Sequence, residues 1–246
     1  MAFLINTMNK TIGVTYGSGA RYESFVSAAI TREQKNHFFD KYLGLSEKDI
    51  SPDYISQNQN IWDHFYSRFR GLIWKPHIVN DILNNLNYGD FLFYHDADCL
   101  VHHGIAPLKS QCSENGGLLT LSTGCQEKAY TKKKCLELLD CNHESFFNEQ
   151  WMATLFLLQK NDLTVDFISE WCASCQNFNL ISNEPPLDEY PEFIDHRHDQ
   201  SIFSLLLKKR GYTSPESLHN NNIKMQTLTH LLKIGANEET LLDTSA

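Results

Sequence analysis

A short apolar run that ends in two carboxylates constrains this chain more than any other feature. Residues 91–94 are continuously apolar, which favours a strand buried on both faces of a parallel sheet. Asp96 and Asp98 follow that run directly, two positions apart. Ligands of open α/β sheets bind beyond the carboxyl ends of the strands, so the pair predicts a site for Mn²⁺ or Mg²⁺ on hard oxygen ligands. Aspartates are also common in solvated turns, and that alternative stays open.

Strand-like and helix-like patterns alternate along the rest of the chain. Strand-like runs occupy residues 11–16, 117–122 and 153–158. Apolar side chains recur every three or four positions, as in helices, over residues 22–30, 77–86, 165–176 and 200–209. This alternation predicts an α/β fold with a mostly parallel central sheet. Pro76 is predicted to open its helix at the first position, and residues 49–58 are predicted to form a loop.

Composition limits the classes of protein to which the chain can belong. Its 246 residues are 41% hydrophobic and 21% charged, so we expect one globular domain over residues 1–246 with a flexible tail at 235–246. A net charge of −9 argues against a nucleic-acid partner, since phosphate backbones are bound by Lys and Arg. No apolar run approaches the ~20 residues of a membrane span, and no signal peptide is recognised. Seven scattered cysteines favour a reducing compartment, so a cytoplasmic protein is predicted.

Two further segments could bind an anion. Asp199 and Gln200 belong to segment 195–201, which leads into a predicted helix. A helix N-terminus attracts anions, but Asp199 could equally be an ordinary N-cap. Lys75 follows Trp74, and a lysine beside an aromatic residue can hold a phosphate as a point charge. The alternative is a surface lysine next to a core tryptophan.

Two other features allow either a functional or a purely structural interpretation. Cys172 and Cys175 have the spacing of a redox pair, but they lie inside a predicted helix rather than at its N-terminus, so we interpret them as structural. The basic runs 132–134 and 208–210 are solvated faces or, alternatively, a peripheral contact with an anionic membrane.

Three segments together resemble one enzyme family. Residues 74–76, 89–98 and 196–206 are similar, in order and in approximate separation, to the small A-type (GT-A) glycosyltransferases of bacterial and viral polysaccharide synthesis. The resemblance spans residues 11–212. It implies a GT-A-like α/β/α sandwich and a nucleoside-diphosphate sugar as donor, most commonly a UDP-sugar. It also implies a glycan or glycolipid acceptor, and a metal held by Asp96 and Asp98.

The resemblance further implies roles for individual residues. His219 is a possible third metal ligand, and Asp199 with Gln200 would orient the donor sugar. The substrate-binding residues that it implies are Thr15, Tyr16, Ser18, Trp74, Lys75, His95 and His198. An inverting transfer would need a carboxylate base, for which Glu149, Asp195 and Asp199 are all candidates. The Asp-Gln pair before a helix is similar to a motif of several retaining families, which favours retention.

Two other functions are compatible with the same residues. A nucleotide-sugar hydrolase could use the same metal site, and it would turn over its donor equally fast with and without an acceptor. A carbohydrate-binding module without turnover is the other alternative. Its aspartate pair would be indifferent to metal.

Overall fold

The computed structural model describes residues 9–64, 72–101, 104–184, 188–213, 232–234 and 242. Its strands are β1 (Thr11–Tyr16), β2 (Lys41–Leu45), β3 (Phe91–His95), β4 (Cys99–Val101), β5 (Leu118–Gln126), β6 (Glu149–Gln159) and β7 (Leu232–Ile234). Its longer helices are α1 (Gly19–Asn36), α4 (Trp74–Asn85), α8 (Asp162–Cys175) and α10 (His198–Lys209). Its shorter helices are α2 (Pro52–Gln57), α3 (Gln59–His64), α5 (Lys109–Glu114), α6 (Glu127–Tyr130), α7 (Lys133–Leu138) and α9 (Phe178–Ile181).

Five strands form the central sheet in the order β2-β1-β3-β6-β5. β1 pairs with β2 and with β3 in parallel, whereas β6 is antiparallel to both β3 and β5. β6 therefore opposes the four other strands. The predicted α/β fold with a mostly parallel sheet is confirmed. A run of apolar residues does not encode strand direction, so the reversal of β6 could not be predicted from residues 153–158.

Side chains of alternate strand residues fill two separate cores, one on each face of the sheet. Leu92 and Tyr94 of β3 pack into the larger core, together with residues of α4, α8 and α10. Phe91 and Phe93 face the opposite side, where Leu108 and Cys112 cover them. Helix α1 packs through Phe25 and Val26 on that second side. The result is the three-layer α/β/α sandwich that the sequence analysis predicted.

Some element boundaries differ from the predictions for local reasons. Helix α2 lies inside the predicted loop 49–58, because Ser51 caps it and Pro52 occupies its first turn. Helix α4 begins at Trp74, so Pro76 is not at its first position. Strand β2 was not predicted; most of its residues are only half-buried, and such a strand lacks a strong apolar signature.

The lysines of the first basic run, residues 132–134, have partners within the protein. Lys132 is buried, and its ammonium group donates hydrogen bonds to the carbonyl and hydroxyl oxygens of Ser182. Lys133 forms an ion pair with Asp188. Lys134 Nζ lies 3.8 Å from a carboxylate oxygen of Glu137. Residues 132–134 are therefore not the unpaired basic face that contact with an anionic membrane would use.

The second basic run is also mostly neutralised. The Lys208 side chain is 6% exposed and lies 2.7 Å from the fully buried Glu127 carboxylate. Arg210 forms ion pairs with Asp166 and Glu170. These pairings neutralise Lys208 and Arg210, so they weaken the alternative of a membrane contact at 208–210. Within the described residues, no helix is long and apolar enough to cross a membrane.

Cys172 and Cys175 lie in the C-terminal half of α8, and both are buried. Burial raises the pKa of both thiols. A redox-active cysteine needs the opposite, a thiolate stabilised at a helix N-terminus or by nearby cations. The position and the direction of the pKa shift both support the structural interpretation of this pair.

Candidate active site

The turn between β1 and α1 shapes one wall of the candidate site. A Cβ atom on Gly17 would lie 2.5 Å from the carbonyl oxygen of Tyr22, so the tight approach of these two backbones requires glycine. Tyr16, just before the turn, stacks on Trp74 of α4 with ring centroids 3.8 Å apart. Ser18, just after it, is the N-cap position of α1 and makes no side-chain capping bond.

These residues enclose a cleft of about 180 Å³, which we call the aromatic cleft. It is lined by Tyr16, Gly17, Ser18, Tyr22, Leu72, Trp74, Asp96, Ala97 and Asp98. Three aromatic rings thus meet both carboxylates of the Asp-x-Asp segment at the carboxyl ends of β1 and β3. Parallel strands in a sandwich of this type bring such residues together at one edge.

A second cleft, of about 400 Å³, adjoins the first, and we call it the polar cleft. It is lined by Leu72, Lys75, Asp96, Thr123, Cys125, Met152, Thr154, Asp195, His196, Arg197, His198, Asp199 and Gln200. Leu72 and Asp96 line both clefts. The two clefts therefore meet at Asp96, the first carboxylate after β3.

Asp96 is anchored through one oxygen only. Its Oδ1 accepts a hydrogen bond of 2.7 Å from the Tyr94 hydroxyl and lies 2.9 Å from Lys75 Nζ. Its Oδ2 has no hydrogen-bond partner among the residues that the structure describes, and the side chain is 28% exposed. Asp98 is half-buried, and both burial and the charge of Asp96 raise the pKa of its carboxyl group. One fixed oxygen and one open oxygen on Asp96, beside the half-buried carboxylate of Asp98, suit the binding of a cation.

Lys75 lies between two carboxylates rather than at the surface. It is 3% exposed, and its Nζ is 2.9 Å from Asp96 and 3.4 Å from Asp199 Oδ2. Nζ also donates to the carbonyl oxygen of Ala153, at 3.3 Å. Burial alone would lower the pKa of Lys75, but Asp199 and Asp96 outweigh it and raise the pKa. The structure therefore does not present Lys75 as the free cation that the phosphate-holding prediction required.

Asp199 is the most buried carboxylate of the polar cleft, at 1% exposure. Apart from the approach of Lys75, neither of its oxygens makes a well-aligned hydrogen bond within the described residues. Burial, reinforced by Asp96 and opposed by Lys75, raises the pKa of Asp199 to about 6. The N-cap position of α10 is Arg197, so Asp199 is not the ordinary N-cap that the sequence left open. It is a buried acid with unused hydrogen-bonding capacity.

Gln200 anchors α10 to the sheet. Its Oε1 accepts from the backbone N–H of Ala153 at 3.1 Å, and its Nε2 donates to Gln150 Oε1 at 2.9 Å. Gln150 in turn donates to Thr131 and to Glu127. One lone pair of the Gln200 amide oxygen and one of its amide hydrogens are therefore already used inside the protein, which leaves one acceptor and one donor position for the predicted contact with a donor sugar.

His198 lines the polar cleft in a constrained conformation. Its backbone φ is 48°, in the left-handed region that non-glycine residues rarely adopt. Its Nδ1 lies 2.8 Å from the carbonyl oxygen of Ile181, which fixes the ring and makes Nδ1 the protonated nitrogen. Strained backbone of this kind is concentrated at functional sites.

Two predicted substrate-binding residues, His95 and Thr15, lie elsewhere. His95 contacts the Tyr42 hydroxyl at 2.6 Å and the carbonyl oxygen of Asp96 at 2.9 Å, and burial lowers its pKa to about 4. It is on the opposite face of the sheet and lines neither cleft, because successive strand residues alternate between faces. Thr15 is likewise fully buried, one position out of phase with Tyr16, and lines neither cleft.

Glu149 and His219 are also not part of the described site. Glu149 is exposed at the start of β6 and bonds to Ser122. It lines a separate cavity of about 480 Å³ with Trp151 and Tyr212, so it is not brought together with Asp199. His219, the proposed third metal ligand, lies outside the described residues.

Sequence reasoning missed two features of the site. The first is the ion pair between Lys75 and Asp199, which joins segments that are far apart in the chain. The second is Arg197, whose guanidinium carbon lies 3.7 Å from the ring centroid of Tyr130. No local spacing signals either contact. The segment 195–201 did, however, mark the residues concerned as a cluster of charged side chains before a helix.

Comparisons with known proteins add the following. No family model and no curated protein matches the chain. Mouse xyloside xylosyltransferase 1 aligns with a TM-score of 0.45 and 8% identity over 83% of this chain and 84% of that one. The glycosyltransferase GlyE of Streptococcus pneumoniae TIGR4 aligns at 0.43 and 16% identity, over 93% of this chain and 55% of its own. The galactosyltransferase LgtC, solved with donor and acceptor sugar analogs, aligns at 0.42 and 12% identity, over 79% of this chain and 70% of its own.

Proposed function

We propose that this chain is a glycosyltransferase that moves a sugar from a nucleoside-diphosphate sugar, a UDP-sugar by preference, to a hydroxyl group of a glycan or glycolipid. The observation that carries the proposal is the meeting of the aromatic cleft and the polar cleft at Asp96. A nucleotide sugar has an aromatic base at one end, a polar sugar at the other and a diphosphate between them. The aromatic cleft, the junction at Asp96 and the polar cleft follow one another in the same order as the base, the diphosphate and the sugar.

The aromatic cleft supplies what a nucleoside needs. The stacked rings of Tyr16 and Trp74 offer apolar surface to a base, and the Ser18 hydroxyl is available for a hydrogen bond beside them. The polar cleft supplies what a sugar needs, since Thr123, Thr154 and Asp199 line it with hydroxyl and carboxylate oxygens. The diphosphate would then lie at Asp96, where the clefts join.

A divalent cation, Mn²⁺ or Mg²⁺, belongs to the proposal, and the residues present fit one. Asp96 Oδ2 is open, and Asp98 shares the cleft with it. Within the described residues no group of three or more potential ligand side chains comes together, so the remaining ligands would be phosphate oxygens and water, as is usual for Mg²⁺. When bound, such an ion neutralises charge on a departing nucleoside diphosphate.

Lys75 and Asp199 have a positioning and a binding role in this proposal. Lys75 holds the carboxylates of Asp96 and Asp199 in a fixed relation, so the diphosphate end and the sugar end of the donor are placed by one rigid cluster. Asp199 accepts a hydrogen bond from a hydroxyl of the donor sugar. Asp195 and Asp199 both line the polar cleft, so retention is favoured only by the Asp199-Gln200 pair before α10, which is similar to a motif of several retaining families.

The test is calorimetric titration of UDP with and without Mn²⁺, followed by transfer and hydrolysis assays with UDP-sugars. We expect tighter UDP binding with Mn²⁺, and loss of that enhancement in Asp96→Asn. Asp166→Asn, which removes an exposed carboxylate paired with Arg210, is the matched control and should change nothing. Donor turnover that is independent of acceptor would indicate the hydrolase alternative. Absence of nucleotide binding in any condition would refute the proposal.

A further inference from the structure

Arg197 is held rigidly at the polar cleft by a side chain outside it. Its guanidinium carbon lies 3.7 Å from the ring centroid of Tyr130, so the guanidinium group lies on the ring face. Its backbone N–H lies 3.1 Å from both Tyr130 O and Ser201 Oγ, which fixes the main chain as well. A guanidinium held in this way keeps its N–H donors in one fixed plane. From that plane they can bind an oxyanion such as a carboxylate or a phosphate.

The charges of the polar cleft do not account for Arg197. Lys75 is already shared by Asp96 and Asp199. Asp195 is exposed, and its Oδ1 accepts a hydrogen bond from the backbone N–H of His196. Within the described ranges, no carboxylate forms an ion pair with Arg197, in contrast to Lys75. A fixed guanidinium in a cleft, without a counter-charge from the residues that the structure describes, calls for an anion from the ligand.

We propose that Arg197 binds an anionic group of the acceptor, either a carboxylate of an acidic sugar or a phosphate substituent. The inference rests on the proposed function. It assumes that the donor sugar fills one part of the polar cleft and that the acceptor binds in the remaining part. Asp96 lines both clefts, whereas Arg197 lines only the polar cleft. Arg197 is therefore on the side of the junction away from the nucleoside, where the donor sugar and, beyond it, the acceptor would lie.

The competing assignment is that Arg197 contacts the diphosphate of the donor. A direct binding experiment separates the two. Methyl glycosides of glucose and galactose, their uronates and their 6-phosphates are titrated into the full chain by saturation-transfer NMR and calorimetry, alone and with saturating UDP and Mn²⁺. The variants are Arg197→Gln, Arg197→Lys and, as a matched control, Arg210→Gln, which removes a paired arginine near the other end of α10.

We expect the wild type to bind at least one acidic sugar about ten- to a hundredfold more tightly than its neutral twin, the usual effect of a charge-assisted hydrogen bond. Arg197→Gln should abolish that preference and leave the affinity for neutral sugars and for UDP unchanged. Arg197→Lys should retain a phosphate better than a carboxylate, since lysine lacks the bidentate fork. The acid that binds more tightly identifies the anion.

Three results would overturn the inference. The first is equal affinity of the wild type for acidic and neutral sugars, including no affinity for either. The second is a preference for acidic sugars that survives in Arg197→Gln. The third is displacement of the acidic sugar by UDP, which would assign Arg197 to the donor. Failure of the proposed function looks different. In that case UDP-sugars would neither bind nor react, while the Arg197-dependent preference for acidic sugars persisted.

Discussion

Replacement of Lys75 by methionine tests the buried charge cluster directly. Methionine keeps most of the apolar stem of lysine but removes the ammonium group that Asp96 and Asp199 share. Removing one partner of a buried ion pair costs about 3–5 kcal/mol, because the other charge is left uncompensated. Asp199, at 1% exposure, is that uncompensated charge. At about 2–4 °C per kcal/mol for a chain of this size, the melting temperature should fall by roughly 6–20 °C.

The second variant isolates the cause of the loss. Asp199→Asn removes the uncompensated charge, so the double variant Lys75→Met/Asp199→Asn should be more stable than Lys75→Met alone. Urea unfolding of wild type, both single variants and the double variant, in EDTA at pH 8, measures the coupling between the two residues. A coupling of about 2 kcal/mol or more is expected. Additive effects, or a Lys75→Met variant as stable as wild type, would refute the assignment of Lys75 as the counter-ion of Asp199.

Three shorter predictions concern metal, pH and thiols. EDTA should abolish sugar transfer and Mn²⁺ or Mg²⁺ restore it, and Asp98→Asn should weaken metal-dependent UDP binding in calorimetry without unfolding the protein. The pKa of Asp199 in the folded state, about 6, lies above its ordinary value of 3.8, so the folded state holds the proton more tightly. The free energy of unfolding should therefore fall as pH rises from about 4 to 6. Urea titrations should show that Asp199→Asn flattens this decline. Cys172→Ser/Cys175→Ser should lower the melting temperature but leave the specific activity of the folded protein unchanged, and a well-folded but inactive double variant would contradict this.

The position of the Asp-x-Asp segment could be predicted because topology determines it. A buried strand of a mostly parallel sheet ends at the ligand-binding edge, and Asp96 and Asp98 directly follow such a strand. The same alternation that puts Tyr94 beside Asp96 places His95 on the opposite face, next to Tyr42. The assignment of His95 to the substrate was therefore avoidable, since a period of two was already implied by the predicted strand.

The pairing of Lys75 with Asp199 could not be predicted in that way. Lys75 is on α4 and Asp199 on α10, and their contact depends on how both helices pack against the same face of the sheet. Nothing in the local sequence of Lys75 distinguishes a buried counter-ion from a surface lysine. Glu149 shows the converse. It is the first residue of β6, and the register between β5 and β6 turns it towards Ser122 and away from the site.

A buried polar network connects α10 to the sheet, and Glu127 is its centre. Its carboxylate is fully buried, accepts hydrogen bonds from Gln150 and Thr131 on one oxygen, and accepts from Ser204 and Lys208 on the other. All four partners donate to the carboxylate, so the NH₂ group of a glutamine at this position would face donors instead of acceptors. A half-satisfied network of this kind is costly.

We therefore expect Glu127→Gln to lose about 3–5 kcal/mol of stability, since Lys208 keeps its charge without a counter-ion. Turnover per folded molecule should fall as well. Gln150 links Glu127 to Gln200, and Gln200 holds the end of α10 that carries Asp199. The affinity for UDP should be unaffected, because neither Glu127 nor Gln150 lines the aromatic cleft. The assay compares kcat and the donor KM at a temperature where the variant is fully folded. Unchanged kcat in that comparison would show that the network stabilises the fold without positioning Asp199.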